Sequence, residues 1–376
     1  MQILARHYKT GQAVRVHIEN GVYQKLETSP HDSPEMPWIA PGLVDVQING
    51  GGGTDFNRAP IDAAAWNRAT DNLFKHGCTH FLVTLITNLR QTYRELIDEI
   101  DPLREENPRN CVGYHFEGPF LNPSPGYHGA HCVDWMTTPR IELFGEWQEL
   151  TGGNVKLITM APEVDLEAGL EFINYLREQR VLVSLGHSAA MGDELDEIVA
   201  AGATGWTHLG NAAPNPPEDK FRNVIFYALA QEKLFASLIP DGRHLPPHVF
   251  RVMARALGER LLLTTDAMAG AGAGPGLYSL CHMDIEVGED LLAHIPGQPY
   301  LAGSTLMPFA GVFLAAEMSG LPWAKMWDAF SIRPAQWLKL EHELIEGKPA
   351  HFCLLEVEPK PRLLATYHHG EKVFSA

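Results

Sequence analysis

Eight short apolar runs rich in β-branched residues alternate with helical patterns along the chain, and this alternation is the feature that most constrains the fold. Between the runs, apolar residues spaced three and four apart predict helices. Eight strands that alternate with helices predict an α/β fold, a (β/α)8 TIM barrel. The predicted strands cover residues 42–48, 80–87, 111–117, 155–161, 181–187, 204–209, 234–240 and 261–267. The predicted helices include residues 63–76, 92–106, 166–180, 193–201 and 248–257.

The two ends of the chain have a different pattern, with short strands and turns in place of helices. An Asn20-Gly21 pair lies between alternating residues and is a hairpin signal. We therefore predict that residues 1–41 and 345–376 combine into a small β-sandwich domain, which leaves residues 42–344 for the barrel. Residues 269–303, rich in glycine and turn signals, are predicted to form an excursion after the eighth strand.

Composition excludes several classes of protein. The chain carries 29 Lys and Arg against 46 Asp and Glu, a net charge of −17, which disfavours nucleic acid as a partner. No long continuous apolar stretch or signal peptide is visible, so we expect no membrane association. The five cysteines form an odd set without CxxC spacing, which favours a reducing cytoplasm.

Polar residues stand at the ends of four predicted strands: Glu117, His187, His208 and Asp266. In a barrel these carboxyl ends meet at one mouth, where the active site lies. Two histidines and one carboxylate leave an open coordination position, as expected of a catalytic zinc site. We therefore predict one divalent ion per chain, with zinc as the expected metal, held by Glu117, His187 and His208 beside a catalytic Asp266.

Other readings of single motifs are weaker. An isolated histidine among 18 is more often hydrogen-bonded than a metal ligand, but four such residues at the same ends of four strands are hard to dismiss. The glycine run 49–53 is not followed by GK[ST], and no GxSxG occurs, so a P-loop and a serine hydrolase are disfavoured. His244, after the seventh strand, is predicted to face the same mouth.

The motifs PGLVDVQINGGGG, HFEGPFLNP, GHS, THLGNA, PDGRH, TTDAMAGAG and LAGSTL, in this order, resemble those of the N-acetylglucosamine-6-phosphate deacetylases. The resemblance implies a homodimer of barrels with small β-sandwiches, which releases acetate from N-acetyl-D-glucosamine 6-phosphate. It also implies that Glu117, His187 and His208 bind metal and that Asp266 is the general base and acid. The substrate contacts that it implies are His131, Asn211, Ala212 and His244, with His128 as a rival of His131.

Two positions on the first strand bear on the number of metals. Many amidohydrolases have an HxH motif there and bind two ions, whereas this chain has Gln47 and Asn49. The pair resembles the single-metal branch of the family. We therefore predict one tight metal site, with Gln47 free to orient the substrate amide.

The chain departs from the family pattern where phosphate is bound. The family places a phosphate-binding arginine in the segment that reads PPEDKFRNV here, and none aligns with it. Lys220, Arg222 and Arg243 are the candidates to replace it. A lysine would act as a point charge, without the bidentate fork of arginine that suits phosphate.

Two other functions stay open from the sequence. The first is hydrolysis of another N-acylated amino sugar or small amide on the same metal site. The second, from a different class, is a catalytically silent sugar-phosphate binding protein. Asp266 argues against the second, because a binding protein has no use for a proton shuttle.

Overall fold

A computed structural model describes residues 1–107, 109–214, 221–298 and 301–376, and it confirms the predicted barrel. Eight parallel strands form one sheet in the order of the chain. An isolated parallel bridge between Ile48 and Ala267 joins the first strand to the segment after the eighth, so the barrel is nearly closed. The strands are Leu43–Ile48, Cys78–Ile86, Cys111–Glu117, Val155–Met160, Leu182–Leu185, Gly205–Trp206, Phe235–Leu238 and Leu261–Leu263.

The later barrel strands are shorter than predicted. The fifth ends at Leu185, the sixth at Trp206 and the eighth at Leu263. His187, His208 and Asp266 therefore lie two or three residues beyond their strands, on the loops of the barrel mouth. Loops held by a rigid barrel are the usual location of catalytic residues.

Ten α-helices occur in the described part of the chain, and the five predicted from periodicity are among them. Two of these begin at an aspartate cap: Asp62 accepts a hydrogen bond from the amide of Ala65 at 2.7 Å, and Asp165 accepts one from Ala168. The α-helices are Ala63–Lys75, Arg90–Glu106, Ile141–Leu150, Leu166–Glu178, Gly192–Ala201, Val224–Ala230, Pro247–Leu257, Pro308–Ser319, Trp323–Ala329 and Ile332–Trp337. Short 3-10 helices cover Val133–Trp135, Pro162–Asp165 and Gly258–Arg260. None of the helices in these ranges has the length and apolar character needed to cross a membrane.

The two ends of the chain form one separate mixed sheet of seven strands, as the patterns predicted. Trp38–Pro41 is its central link, because it pairs with Gln2–His7 on one side and with Phe352–Glu356 on the other. Apolar residues of both halves, such as Val16 and Phe352, share one buried cluster. The boundaries at residues 41 and 345 remain a prediction. The other strands of this sheet are Ala13–Glu19, Val22–Thr28, Arg362–His368 and Glu371–Ser375.

The predicted excursion after the eighth strand is also present. It contains a three-stranded antiparallel sheet of Gly276–Leu280, Met283–Val287 and Ala293–His294. A smaller pair, Gly50–Gly51 with Thr54–Asp55, follows the first barrel strand. The chain returns to the mouth through Ser304, whose backbone pairs with Ala267. The excursion thus covers one side of the catalytic end of the barrel.

Candidate metal and catalytic site

The structure brings three histidines to one carboxylate at the barrel mouth. Oε1 of Glu117 lies 2.7 Å from Nε2 of His208, 3.3 Å from Nε2 of His187 and 4.0 Å from Nε2 of His131. All four side chains are buried. The sequence predicted Glu117, His187 and His208 as a group, and the structure adds His131 directly beside them.

The electrostatics of this group favour a positive charge. Burial alone would raise the pKa of Glu117, but its contacts with His187 and His208 outweigh burial and hold that pKa well below the usual value. Burial alone would lower the pKa of His208, but the hydrogen bond and charge of Glu117 raise it. The site therefore stabilises one cation among its rings, whether a proton or a metal ion.

A hydrogen bond behind the His187 ring prepares a nitrogen lone pair of that ring for a metal. Nδ1 of His187 lies 2.7 Å from the carbonyl oxygen of Tyr127. A carbonyl can only accept, so Nδ1 carries the hydrogen and Nε2 presents its lone pair to Glu117. Two electron-rich atoms 3.3 Å apart need a cation between them. The carboxylate and imidazole donors fit a zinc-type ion, and the donor atoms of Glu117, His131 and His187 lie within 4.8 Å of one another.

The backbone is strained at the functional positions. His187, His208 and Asp266 have φ values of 52°, 32° and 53°, in a region that residues other than glycine seldom adopt. Such conformations cluster at active sites, where the surrounding structure fixes them. Gly118, which follows Glu117, has a φ of 90°, and a Cβ there would lie 2.2 Å from Oγ1 of Thr87. Glycine is therefore required directly after the carboxylate.

Asp266 lies in the same cavity as the Glu117 group. Burial and then the negative charge of Glu117 raise its pKa to about 7. Asn49 donates a hydrogen bond from Nδ2 to Oδ1 of Asp266 at 2.6 Å, which fixes the orientation of the carboxyl group. A carboxyl group with this pKa can both accept and release a proton near neutral pH, as acid and base catalysis requires.

Gln47 lies directly against Glu117. It is fully buried and donates a hydrogen bond from Nε2 to Oε2 of Glu117 at 3.0 Å. It is absent from the described residues that line the cavity. Its contact therefore orients the carboxylate of Glu117, and its role toward the substrate amide stays a prediction.

The mouth contains a cavity of about 550 Å³, large enough for a sugar phosphate. The predicted substrate residues His128, His131, Asn211, Ala212 and His244 all line it. His131 lies deeper than His128, within reach of the Glu117 group. His244 is held by Asp241, whose Oδ2 lies 2.6 Å from Nδ1 of the ring.

The structure separates the three candidates for phosphate binding. Arg243 is the only lysine or arginine among the described residues that line the cavity. Its backbone amide donates to Asp241, which places the arginine at the rim beside His244. Arg222 is exposed and does not line the cavity, and Lys220 lies outside the described residues.

Several residues that build the site were not found from the sequence. Thr87 hydrogen-bonds Nδ1 of His131 at 2.9 Å, and Asn49 holds Asp266. Glu163 binds the loop after His187, because it accepts hydrogen bonds from the hydroxyl of Ser188 and the amide of Ala189. Thr87, Asn49 and Glu163 also follow or end barrel strands. That shared position was a usable signal, although their neutral or isolated side chains did not suggest a metal.

Comparisons with known proteins agree with this geometry. No protein-family model matches the chain. It is 33% identical to the N-acetylglucosamine-6-phosphate deacetylase of Mus musculus, an alignment of 90% of this chain and 84% of the relative. It is 27% identical to the N-acetylgalactosamine-6-phosphate deacetylase of Escherichia coli O157:H7, over 89% of this chain and 88% of the relative. Among solved structures, a mutant N-acetyl-D-glucosamine-6-phosphate deacetylase of Mycobacterium smegmatis in complex with N-acetyl-D-glucosamine-6-phosphate superposes with a TM-score of 0.89, at 27% identity over the whole of both chains.

Proposed function

Because this chain belongs to the N-acetylglucosamine-6-phosphate deacetylase family, we propose that it hydrolyses N-acetyl-D-glucosamine 6-phosphate to D-glucosamine 6-phosphate and acetate. The proposal rests on the pairing, in one cavity, of a carboxylate and imidazole group with a separate, partly buried Asp266. The first suits a divalent cation and the second suits proton transfer. Together they supply the requirements of amide hydrolysis.

At the catalytic site, one divalent ion, with zinc as the expected metal, would be held by Glu117, His187 and His208. Bound there, it would polarise the acetamide carbonyl and lower the pKa of the attacking water. The support is the donor set, since zinc takes carboxylate oxygen and imidazole nitrogen in catalytic sites. Gln47 keeps the carboxylate of Glu117 in position through its hydrogen bond to Oε2.

Asp266 moves the protons of the reaction. It accepts a proton from the water that attacks the amide carbon and then donates a proton to the departing amine nitrogen. Asn49 holds the carboxyl group in one orientation for both transfers. The C–N bond of the amide breaks and the water oxygen enters the acetate product.

His131 is suited to donate a hydrogen bond to the oxygen that gains negative charge. Burial first, and then the neighbouring His187, lower the pKa of His131 to about 3, so its ring is neutral at physiological pH. If the Thr87 hydroxyl donates to Nδ1, the ring carries its hydrogen on Nε2, which faces the Glu117 group. A fixed donor in a dry site stabilises such an oxyanion strongly.

Arg243 is the residue we assign to the substrate phosphate. It lies at the cavity rim beside His244, and its planar guanidinium can hold a phosphate through two parallel hydrogen bonds. The net charge of −17 does not prevent this contact, because surface charges beyond about 10 Å are largely screened at moderate salt.

We also propose that the enzyme works as a homodimer in the cytoplasm. Phe221 and Phe226 follow the sixth barrel strand in the sequence, and their side chains are 72% and 54% exposed. Large exposed apolar groups commonly mark surfaces between subunits. The five cysteines form no disulfide, which is consistent with a reducing compartment.

A substrate panel tests the function. Acetate release is measured with N-acetylglucosamine 6-phosphate, N-acetylgalactosamine 6-phosphate and unphosphorylated N-acetylglucosamine, with metal content determined on the same sample. We expect kcat/KM for the first to exceed that for the third by at least about a hundredfold, or roughly 2.7 kcal/mol. A preference for N-acetylgalactosamine 6-phosphate would instead assign the protein the substrate in the name of the Escherichia coli O157:H7 relative. If no substrate released acetate, a catalytically silent binding protein would be favoured.

A further inference from the structure

Five of the 18 histidines lie together far from the active site, where the terminal sheet meets the barrel. We call His80, His342, His351, His368 and His369 the basal histidine cluster. His80 is the third residue of the second barrel strand, His351 immediately precedes Phe352–Glu356, and His368 ends Arg362–His368. The cluster therefore combines His80 of a barrel strand and His342, which follows the last helix, with three residues in or next to the C-terminal strands.

The rings of the cluster pack around His351. Its ring centroid lies 4.5 Å from those of His80 and His368, 4.3 Å from that of His369 and 5.9 Å from that of His342. In His80, His351 and His368, one ring nitrogen from each residue lies within 4.8 Å of the other two. This is the second group of such donors in the described residues, and it shares no member with the catalytic site.

Few hydrogen bonds occupy these ring nitrogens. His80 uses Nδ1 to contact Oγ1 of Thr79 at 3.1 Å, which leaves its Nε2 without a partner among the described residues. His368 has no side-chain hydrogen bond within those residues. Among the described residues, one hydrogen bond reaches a ring nitrogen of His351, and it is long: the amide of His369 donates to Nδ1 at 3.3 Å. Nδ1 of His342 is buried without a partner in the same part of the chain.

The cluster contains no carboxylate that could compensate charged rings. Burial, followed by the neighbouring imidazoles, lowers the pKa of His80 and His351, and it lowers that of His368 to about 3. The rings of His80, His351 and His368 are therefore neutral at physiological pH. Neutral imidazole is the form that binds metals, and imidazole suits Zn²⁺, Cu²⁺ and Ni²⁺.

We propose that His80, His351 and His368 form a second metal site, which binds one divalent transition-metal ion and fastens the C-terminal strands to the barrel. At a zinc–nitrogen distance of about 2.1 Å, tetrahedral ligand nitrogens lie about 3.4 Å apart. The present separations of up to 4.8 Å reach that geometry through small ring movements. Because its ligands come from distant parts of the chain, the ion stabilises the folded state.

This site is independent of the proposed deacetylase function. The strand register pairs Ile86 with Glu117, and His80 lies six residues before Ile86 on the same strand. At about 3.3 Å per residue, the basal cluster is roughly 20 Å from the catalytic carboxylate. Loss of the basal ion should therefore leave the chemistry at the mouth intact.

Metal stoichiometry tests the proposal on the full chain. Protein stripped with a chelator is titrated with Zn²⁺, desalted and analysed by mass spectrometry of the elements. We expect two equivalents in the wild type and one in both His368→Gln and the double variant His351→Gln/His368→Gln, with acetate release within about twofold of wild type in His368→Gln. His31→Gln, which removes an exposed histidine outside the cluster, should keep two equivalents. One equivalent in the wild type, or two in a folded double variant, would overturn the proposal.

A second measurement avoids dependence on the folding of the basal variants. His187→Ala/His208→Ala removes two catalytic ligands and leaves the basal cluster unchanged. Titrated with Cu²⁺, this variant should bind one equivalent whose electron paramagnetic resonance spectrum shows coupling to nitrogen ligands, and Zn²⁺ should raise its Tm by a few degrees. Adding His368→Gln should remove both effects. Absence of a nitrogen-coupled Cu²⁺ signal in the folded catalytic-site variant contradicts the second site, whatever the outcome for deacetylation.

Discussion

The two histidine groups of this protein lie at opposite ends of one barrel and differ in their partners. At the mouth, His131, His187 and His208 surround Glu117, whereas the basal cluster contains imidazoles alone. The mouth also contains Asp266, which is suited to proton transfer. The same residue type therefore stands in two settings: beside carboxylates at the mouth, where proton transfer is possible, and among imidazoles alone at the base.

The backbone shows the same contrast. His187 and His208 have positive φ on loops beyond their strands. In the basal cluster His80 and His368 lie within strands and His351 directly precedes one, and only His369, in the turn after Arg362–His368, has a positive φ, of 47°. Strain stored at the mouth is compatible with a site built for chemistry. Ligands that lie within strands at the base are compatible with a site built for stability, as expected of that face of a barrel.

The largest expected difference follows from removing one ligand at each end. His208→Ala should lose the catalytic ion and reduce acetate release to background, because it deletes the ring closest to Glu117. The matched change His368→Gln should leave kcat within about twofold. Assays of acetate release with metal analysis check both. Equal loss of activity in the two variants would show that the ends are coupled and would remove the contrast.

Asp266→Asn should produce the next largest effect. The substitution keeps the size of the side chain but removes the proton acceptor, so kcat should fall at least about a thousandfold while the metal is retained. Metal content and circular dichroism serve as controls for folding. A kcat within about tenfold of wild type, equal to about 1.4 kcal/mol, would exclude the proposed role.

Arg243→Gln should cost about a hundredfold in kcat/KM for N-acetylglucosamine 6-phosphate, or about 2.7 kcal/mol, because it removes a charge-assisted contact to a dianion. The slower reaction with unphosphorylated N-acetylglucosamine should stay within about twofold. Arg222→Gln is the matched comparison at an exposed position outside the cavity lining. A loss of phosphate preference in Arg222→Gln alone would transfer the assignment to that residue.

The smallest expected effect is that of replacing Thr87, which follows the second barrel strand. Thr79, within the same strand, provides the matched control. Thr87 hydrogen-bonds His131 at the mouth, and Thr79 hydrogen-bonds His80 at the base. Thr87→Val removes one hydrogen bond worth about 1 kcal/mol, so kcat should fall about fivefold. Thr79→Val should leave kcat unchanged. Steady-state kinetics decide the comparison, and an equal decrease in both variants would indicate a general loss of stability.

The prediction of the site depended on position more than on residue type. Glu117, His187, His208 and Asp266 were recognisable because each stands where a predicted strand ends, and the structure brings all four together. Asn49 and Thr87 stand at similar positions but carry neutral side chains with many ordinary uses. Their roles became visible only from the hydrogen bonds to Asp266 and His131.

The sequence by itself determined the eight-stranded barrel, the joining of the two ends into one sheet and the set of polar residues at the mouth, because hydrophobic periodicity and strand ends are local patterns. Only the tertiary structure decided that Gln47 faces Glu117 from behind, that Arg243 alone among the described cations lines the cavity, and that His80 meets His351 and His368. These contacts join residues far apart in the chain. Their distances depend on strand register, loop course and packing, none of which is encoded by the spacing of the residues along the sequence.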